Sequence, residues 1–347
     1  MTNVAMIGLG HMGRLHMLNC LHMDGIKIIA VADASKAALA RASSLGVDKL
    51  YRDFRDLFNH PHNIDAVIIS LPNFLHFESI RLALESGLHV FTEKPMACSM
   101  KESKEIARLA QKSGTKLMVG HCFRFLEALK TLKRVEQEGR IGNLEVITLE
   151  EVINGPFSHG ATPKPVAEWW FDPKKSGGGV LLDLGYHMID LFRYFAGESE
   201  LEFASLDHRL NLQVEDSAIL LLRSRNGVAR GIINVGWFQQ TIFPKYNFRV
   251  ILHGDAGYLS TEDFVPKNMY LHAIKEGSKN LLRKIVGEKI RPLSYTYFYE
   301  MYFEELRHFL DSIKHDFAPC VSAVDALKTM EIIEKTYASV SKTSPLV

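Results

Sequence analysis

The amino-acid sequence predicts an α/β protein, with a doubly wound parallel sheet in its N-terminal third followed by an α+β domain whose large, open sheet is mostly antiparallel. Apolar strands alternate with helices over residues 1–120, whereas later strands mostly follow one another directly. The chain of 347 residues is also too long for one hydrophobic core. We therefore expect one domain over residues 1–121 and a second over 122–347.

The N-terminal strands are almost continuously apolar, which is typical of a parallel sheet covered by helices on both faces. Ser35 is a candidate N-cap for the second helix, because a hydroxyl there can accept a backbone N–H. The predicted strands are 3–9, 26–33, 64–70, 89–92 and 116–120, and the predicted helices are 11–23, 36–44, 77–86 and 100–111.

The second half of the chain has a different pattern, with strands that carry no helix between them. Asn226-Gly227 separates two of these strands and indicates a tight hairpin, which favours an antiparallel sheet. The predicted strands are 144–153, 201–212, 217–223, 229–235 and 248–253, and the predicted helices are 126–138, 181–195 and 325–340.

The composition is that of an ordinary globular protein, with 23% charged and 47% hydrophobic residues. The formal net charge of +1 predicts no general attraction to nucleic acid or to a membrane. The basic stretch 279–291 is interpreted either as a solvated face or as a subunit or ligand contact. The N-terminus does not resemble a signal peptide, no apolar run could span a bilayer, and the four cysteines are scattered, so we expect a cytoplasmic protein without a metal site.

A glycine-rich loop lies between the first predicted strand and the first predicted helix. It contains Gly8, Leu9, Gly10, His11, Met12 and Gly13. Glycine permits a tight turn and lets backbone N–H groups approach a pyrophosphate at the positive end of a helix. The second strand ends at Asp33, where a carboxylate can accept both ribose hydroxyls of an adenosine. Together these features predict an NAD-binding unit of the Rossmann type, the alternative being a glycine-rich turn in another α/β protein.

Asp33 also bears on the choice between NAD and NADP. Its carboxylate would repel the 2′-phosphate of NADP, although Lys36 lies close enough in sequence to soften that repulsion. We therefore expect NAD, with NADP as the less favoured cofactor.

A polar cluster follows the predicted strand 64–70, at the edge of the sheet where open α/β proteins bind ligands. It consists of Ser70, Leu71, Pro72, Asn73 and His76. We expect these residues to contact the cofactor, the alternative being that they only start the next helix. Glu93 and Lys94 end the next strand at the same edge and are candidates for the same site.

Four segments of this sequence resemble blocks of the Gfo/Idh/MocA oxidoreductase family, in the family's order. They are GLGHMG, LPNFLHFESIRLALESGLHVFTEKP, VGHCFRF and GGGVLLDLGYHMIDLFRYF. The resemblance implies a Rossmann domain, a second domain whose open sheet often forms the oligomer interface, and a last helix that packs back on the first domain. It also implies a nicotinamide cofactor and substrates that are sugars, sugar derivatives or cyclitols.

Oxidation of a secondary alcohol requires a base for the hydroxyl proton and a carbon that faces the nicotinamide. Lys94 ends a parallel strand near the expected nicotinamide, where an ammonium group can orient the hydroxyl and share its proton. The alternative is a surface lysine at a strand end. The restriction that Pro95 places on the preceding residue favours a fixed direction for this side chain.

Asp183 and His187 are four residues apart, so a helix over 181–195 would place them on one face. A carboxylate beside an imidazole fixes its tautomer and raises its basicity, as a base near neutral pH requires. The resemblance assigns the family's acid/base pair to these two residues. The alternative is a capping aspartate and a core histidine, and Asp190 is either a supporting partner or structural.

Three more residues are candidates for the substrate site: Arg124 from its place in the resemblance, Asn154, and Trp237, the last because flat indole rings stack on sugars. For each of them a structural role, such as an ordinary salt bridge for Arg124, remains open. Two further functions also remain open, namely an NAD-dependent glycoside hydrolase that uses transient oxidation and a non-catalytic NAD-binding regulator. We expect a homodimer or homotetramer and no nucleic-acid or membrane partner.

Overall fold

The structure is a computed structural model that describes residues 1–59, 63–155, 167–237 and 247–343. The chain forms two compact units. Unit 1 comprises Met1–Ala97, Lys101–Leu126 and Pro266–Asp325, and unit 2 comprises Cys98–Met100, Glu127–Val265 and Ala326–Val347. The expected division into domains over residues 1–121 and 122–347 stays a prediction. In the structure, residues 266–325 pack within unit 1 together with the N-terminal residues.

The strands, in chain order, are β1 (Thr2–Ile7), β2 (Ile26–Ala32), β3 (Lys49–Tyr51), β4 (Ala66–Ile69), β5 (His89–Thr92), β6 (Leu117–Val119), β7 (Leu144–Val152), β8 (Ser199–Asp207), β9 (Ser217–Ser224), β10 (Arg230–Gly236), β11 (Asn247–Gly254) and β12 (Gly257–Ser260).

The helices are α1 (His11–Leu21), α2 (Lys36–Ser44), α3 (Phe54–Phe58), α4 (His76–Glu85), α5 (Met100–Ser113), α6 (Glu127–Gln137), α7 (Pro173–Ser176), α8 (Tyr186–Ala196), α9 (Met269–Ile285), α10 (Glu300–Lys314) and α11 (Ala323–Thr343). Over the described ranges, none of the helices is long and apolar enough to cross a lipid bilayer.

The sheet of unit 1 has the strand order β3-β2-β1-β4-β5-β6, and all of its pairings are parallel. The order reverses between β1 and β4, and doubly wound folds bind ligands at such a switch point. Ser35 caps α2 by accepting the backbone N–H of Ala38 at 3.3 Å, as the sequence predicts. The predicted parallel sheet is therefore confirmed.

Unit 1 buries its core between this sheet and helices that come from both ends of its sequence. Phe303, Leu306 and Phe309 of α10 join the cluster that contains β1, β2 and β4, and the rings of Phe91 and Phe309 lie 5.8 Å apart. The helices α9 and α10 were not predicted from the sequence. In the structure residues 266–325 belong to unit 1 and α11 belongs to unit 2 from Ala326 onwards; the return of the helix 325–340 to the first domain stays a prediction.

The sheet of unit 2 has the strand order β12-β11-β7-β10-β9-β8. Its pairings are antiparallel except for β7 with β10, so the predicted, mostly antiparallel sheet is confirmed. Gly227, with a φ of 81°, closes the predicted hairpin between β9 and β10. The strand predicted over 201–212 ends at Asp207, because the chain turns through Asn211, whose φ is 54°.

Candidate active site

The glycine loop of unit 1 is folded so tightly that two of its positions exclude a side chain. A Cβ atom on Gly13 would lie 1.9 Å from the carbonyl oxygen of Gly8, and one on Gly8 would lie 2.5 Å from that of Ser70. Gly10 differs, because no described heavy atom lies within 4 Å of its Cβ position. The loop therefore packs against its own backbone and that of Ser70, and it leaves open space beside Gly10.

That open space lies at the N-terminus of α1. Gly10 is the N-cap and supplies no side-chain acceptor, and the first turn of α1, which includes His11 and Met12, contains no acidic residue. The backbone N–H groups at such a terminus attract an anion. The loop therefore fits the pyrophosphate of a dinucleotide, which needs close backbone approach and no opposing negative charge.

Asp33 follows β2 at the same edge of the sheet and is fixed by the backbone around it. Its Oδ2 accepts the N–H of Leu9 at 2.6 Å and its Oδ1 accepts the N–H of Ser35 at 2.7 Å. The carboxylate is only partly buried, so it can still accept ribose hydroxyls. Arg52, which no sequence pattern singled out, donates to the carbonyl of Ala34 at 3.1 Å and so brings a cation next to this turn.

The segment after β4 contributes differently from residue to residue. Leu71, Pro72 and Asn73 are partly exposed, whereas Ser70 Oγ is buried without a hydrogen-bond partner among the described residues, and the contact of all four with the cofactor stays a prediction. His76 is fully buried: Nδ1 lies 2.7 Å from the carbonyl of Pro95 and Nε2 lies 2.8 Å from that of Leu71. Burial lowers the pKa of His76. Its observed contacts tie two strand ends together, and its contact with the cofactor stays a prediction.

Glu93 and Lys94 follow β5 at the same edge, and the Lys94–Pro95 peptide bond is cis. Glu93 Oε1 lies 2.6 Å from Nε2 of His16, which is fully buried on α1. Burial alone would raise the pKa of Glu93, but the hydrogen bond from His16 and the nearby charges of His16, Lys94 and His76 outweigh it and hold the pKa below its usual value. The structure thus fixes the residue before Lys94 through a partner that the sequence analysis did not identify.

Asp183 and His187 lie in unit 2, where a π-helical turn over Leu181–Gly185 continues into α8. The predicted helix over 181–195 is thus present with a widened first turn, a feature that is frequent at functional sites. Asp183 Oδ2 accepts the indole N–H of Trp237 at 3.2 Å. Trp237 is only 1% exposed, so its observed role is to hold Asp183, and its contact with the substrate stays a prediction.

The three glycines that precede this turn lie so close to other protein atoms that a side chain would clash. A Cβ on Gly178 would lie 2.0 Å from the hydroxyl oxygen of Tyr337, and one on Gly179 would lie 2.0 Å from the carbonyl oxygen of Glu215. The Glu215 side chain in turn accepts the N–H groups of Gly179 and Leu181, at 2.9 and 3.1 Å, and the Tyr337 hydroxyl at 2.8 Å. Burial raises the pKa of Glu215, although these hydrogen bonds oppose it.

Of the remaining residues predicted for the substrate site, Arg124 makes structural contacts, and the observed contacts of the others do not decide their role. Arg124 donates to Asp325 at 2.9 Å and to the carbonyl of Cys320 at 3.2 Å, which is the ordinary salt bridge that the sequence left open. Asn154 is half-buried after β7, and Asp190 is buried in α8. Among the described residues, no group of three or more His, Cys, Asp or Glu side chains could hold a metal ion.

Two family models match the chain. One, described as the NAD-binding Rossmann fold of the oxidoreductase family, matches residues 2–121, and the other, described as the family's C-terminal alpha/beta domain, matches residues 134–346. The expected Rossmann domain and its cofactor, NAD, are thereby confirmed.

Similar proteins include two curated dehydrogenases and one solved structure. The chain is 27% identical over 335 residues to a myo-inositol 2-dehydrogenase of Thermotoga maritima, which covers 93% of this chain and 91% of the relative. It is 27% identical over 337 residues to an NAD(+) scyllo-inositol 2-dehydrogenase of Bacillus subtilis, covering 94% and 91%. The scyllo-inositol dehydrogenase of Lactobacillus casei, solved with NAD(H) and scyllo-inositol, matches with a TM-score of 0.75 at 21% identity and covers 98% of this chain and 97% of that one. The chain therefore belongs to the Gfo/Idh/MocA family of oxidoreductases.

Proposed function

We propose that the protein transfers hydride between NAD and a secondary alcohol carbon of a sugar, a sugar derivative or a cyclitol. The observation that carries the proposal is the turn that bears Asp183, which is fixed by Trp237 and Glu215 and leads into the helix that bears His187, in a family whose first domain binds NAD. An NAD-binding protein that only sensed the cofactor would need no such acid/base pair. The named inositol dehydrogenases, which match more than nine-tenths of the chain, support the substrate class.

In this proposal His187 takes the hydroxyl proton and Asp183 orients the imidazole. A histidine base needs a fixed tautomer, and a carboxylate that is itself held in place supplies it. The indole N–H of Trp237 donates to that carboxylate at 3.2 Å and so helps to hold it in place. Bound NAD supplies the hydride acceptor.

Lys94 has a complementary role in the same reaction. Its ammonium group donates to the hydroxyl or carbonyl oxygen of the substrate and stabilises the negative charge that develops there when the proton leaves. Lys94 follows β5 directly, beside Glu93, and Glu93 is fixed by its hydrogen bond to His16. We infer that the fixed Glu93 keeps the backbone at Lys94 in one position.

We propose that NAD is preferred over NADP, because the Asp33 carboxylate accepts hydroxyls and repels a phosphate. Both oxygens of Asp33 already accept backbone N–H groups, which holds the carboxylate at the ribose end of the loop. Arg52 and Lys36 lie near the same turn and would moderate the repulsion, so the preference is one of degree.

The experiment that tests the function is a screen of sugars and cyclitols for NADH absorbance, run with both cofactors. Net NADH formation from a free cyclitol or sugar supports a dehydrogenase. Cleavage of a glycosidic bond without net NADH would instead assign a hydrolase that uses transient oxidation. Tight NAD binding with no turnover on any member of the panel, in either direction, would count against the proposal.

We also propose that unit 2 forms a homodimer or homotetramer through its sheet. Phe203, Leu221 and Ile232 lie opposite one another on three adjacent strands, and all three are exposed. An apolar row across a sheet face favours a second copy as its cover. Light scattering should give an oligomer that Leu221→Lys weakens, and a monomer at micromolar concentration would contradict this.

A further inference from the structure

Helix α9 of unit 1 is oriented with its apolar side outward. Six of its large apolar residues fall within an arc of about 120° when α-helical geometry is applied to their spacing. They form what we name the α9 stripe: Tyr270, Leu271, Ile274, Leu281, Leu282 and Ile285. Their exposed fractions lie between 61% and 84%. Surface helices normally bury such a stripe and expose the opposite, polar face.

The polar side of α9 contacts the protein instead. Asn280 donates to the carbonyl of Arg291 at 3.0 Å and to Ser294 Oγ at 3.2 Å, and its own Oδ1 accepts the N–H of Arg291 at 3.0 Å. His272 Nε2 lies 3.2 Å from the carbonyl of Ser294. Glu276, on the same side, is buried. Polar contacts thus fix the helix with its stripe outward, so the exposure follows from the fold of unit 1.

The exposed charges of α9 are all positive. Lys275 and Lys284 border the stripe on opposite sides, and Lys279 lies beyond Lys275. The only acidic residue within α9 is Glu276, which is buried and paired with Lys279. An apolar stripe between basic borders is the pattern of helices that lie in the plane of a membrane interface, where apolar side chains enter the acyl boundary and cations meet anionic headgroups.

We propose that the α9 stripe docks unit 1 on an anionic lipid surface. Charge decides between this partner and a second copy paired through the same helix. Self-pairing of α9 would bring the basic borders of two copies together without an exposed acid on either helix, which opposes association. Anionic headgroups match both the apolar stripe and its borders. The sequence had suggested a solvated face or a subunit or ligand contact for residues 279–291, and no membrane partner for the chain as a whole; the proposal revises that expectation for this helix.

The test is co-sedimentation of the full chain with lipid vesicles. One set contains phosphatidylcholine alone, and the other contains equal amounts of phosphatidylcholine and phosphatidylglycerol. We expect the protein to partition at least about tenfold more strongly onto the anionic vesicles, and to be released as salt shortens the Debye length from about 8 Å to about 3 Å. Ile274→Gln/Leu281→Gln should abolish binding, and Lys275→Glu/Lys284→Glu should reduce it by about tenfold or more.

Matched controls separate the stripe from general charge and hydrophobicity. Lys101→Glu/Lys104→Glu makes the same change in net charge on α5, at two exposed lysines, and Val228→Gln removes an exposed apolar residue from a hairpin loop. Both controls should bind vesicles as the unmodified protein does. NAD titration and thermal unfolding report whether each variant is folded, and neither depends on a substrate being known.

Three results would overturn the proposal. The first is no sedimentation of the unmodified protein with anionic vesicles. The second is binding that the stripe variants and the controls change equally. The third is a shift of the oligomer to smaller species in the stripe variants, seen by light scattering, without any vesicle binding, which would assign the stripe to a second copy.

Discussion

The glycine loop of unit 1 and the turn of unit 2 that bears Asp183 are both held in place by close contacts, but the contacts differ in kind. Gly8 and Gly13 fix the loop through backbone packing that excludes side chains, with the Gly13 Cβ position 1.9 Å from the Gly8 carbonyl. The turn that bears Asp183 is instead held by side chains distant in sequence, chiefly Trp237 and Glu215. A loop built from backbone leaves a local sequence pattern, whereas a turn built from distant side chains leaves none.

Two carboxyl groups, the partly buried Glu93 and the buried Glu215, show the same contrast in their electrostatics. Burial would raise the pKa of Glu93, but the hydrogen bond and charge of His16 more than offset it, so the pKa is lowered. Burial raises the pKa of Glu215, and its partners are a neutral hydroxyl and backbone N–H groups. Glu93 therefore contributes stability above the ordinary pKa of 4.5 and loses it as the pH falls. The contribution of Glu215 to stability depends on pH in the opposite direction. It is fully present below the ordinary pKa of 4.5 and is lost as the pH rises through the folded-state pKa of Glu215.

Removal of the Glu215 side chain should have the largest effect on stability. Glu215→Ala leaves the N–H groups of Gly179 and Leu181 and the Tyr337 hydroxyl buried without their acceptor, which costs about 1–3 kcal/mol for each unsatisfied group. We expect unit 2 to lose about 3 kcal/mol or more in the free energy of unfolding, measured by denaturant titration with unit 1 followed separately by NAD binding.

Glu215→Gln is the matched control, because the amide oxygen can accept the same three hydrogen bonds. It should remain within about 1 kcal/mol of the unmodified protein at neutral pH. It should also remove the stability loss that Glu215 causes as the pH rises. Equal destabilisation by both variants would show that the carboxyl group does not act as the acceptor that organises the turn.

The two substitutions Gly13→Ala and Gly10→Ala should separate folding of the loop from cofactor binding. Gly13→Ala places a methyl group against the Gly8 carbonyl, so it should lower the free energy of unfolding by about 1–3 kcal/mol. Gly10→Ala meets no protein atom and should fold normally, but its methyl group would occupy the approach to the pyrophosphate and weaken NAD binding about tenfold or more. Unchanged NAD affinity in a folded Gly10→Ala protein would contradict our account of the loop.

Trp237→Phe should produce a smaller, more specific defect. The ring remains to fill the core, while the N–H that Asp183 accepts is lost, at about 1 kcal/mol. We expect turnover to fall up to about tenfold, with a changed pH profile of kcat/KM and unaltered NAD affinity. If turnover and its pH profile stayed the same while stability fell, Trp237 would be structural only.

Asp33→Ser should have the smallest effect, since it alters cofactor preference without changing the chemistry. The serine hydroxyl no longer repels a 2′-phosphate, and Arg52 remains near the same turn. The preference for NAD over NADP should therefore become smaller or reverse, as measured by fluorescence titration with each cofactor. Tighter binding of NADP than of NAD by the unmodified protein would contradict the proposed preference.

Features that depend on neighbours in sequence could be predicted. The glycine loop, the Ser35 cap and the Asn226-Gly227 hairpin each arise within a few residues, and the structure confirms them. The parallel and antiparallel sheets follow from how strands and helices alternate. These elements were sufficient to predict the fold class and the cofactor.

Features that depend on pairing across the chain could not be predicted. His16 meets Glu93, and Tyr337 meets Glu215, over sequence separations of 77 and 122 residues. From the sequence, Trp237 was a candidate to stack on a sugar ring, yet its observed hydrogen-bond partner is Asp183. The outward orientation of α9 could not be predicted either, because the helical spacing of its apolar residues is the same whether they face the core or the solvent.

The most direct test of the central claim is the steady-state kinetics of His187→Ala on a substrate found in the screen, together with NAD titration by fluorescence. If His187 is the base, turnover should fall by about 10²–10⁴-fold while NAD affinity stays unchanged. The double variant with Lys94→Ala should lose much less than the product of the two single losses, because the groups act as one unit. If His187→Ala instead kept most of its turnover, the assignment of the base would be wrong and Lys94 alone would become the candidate.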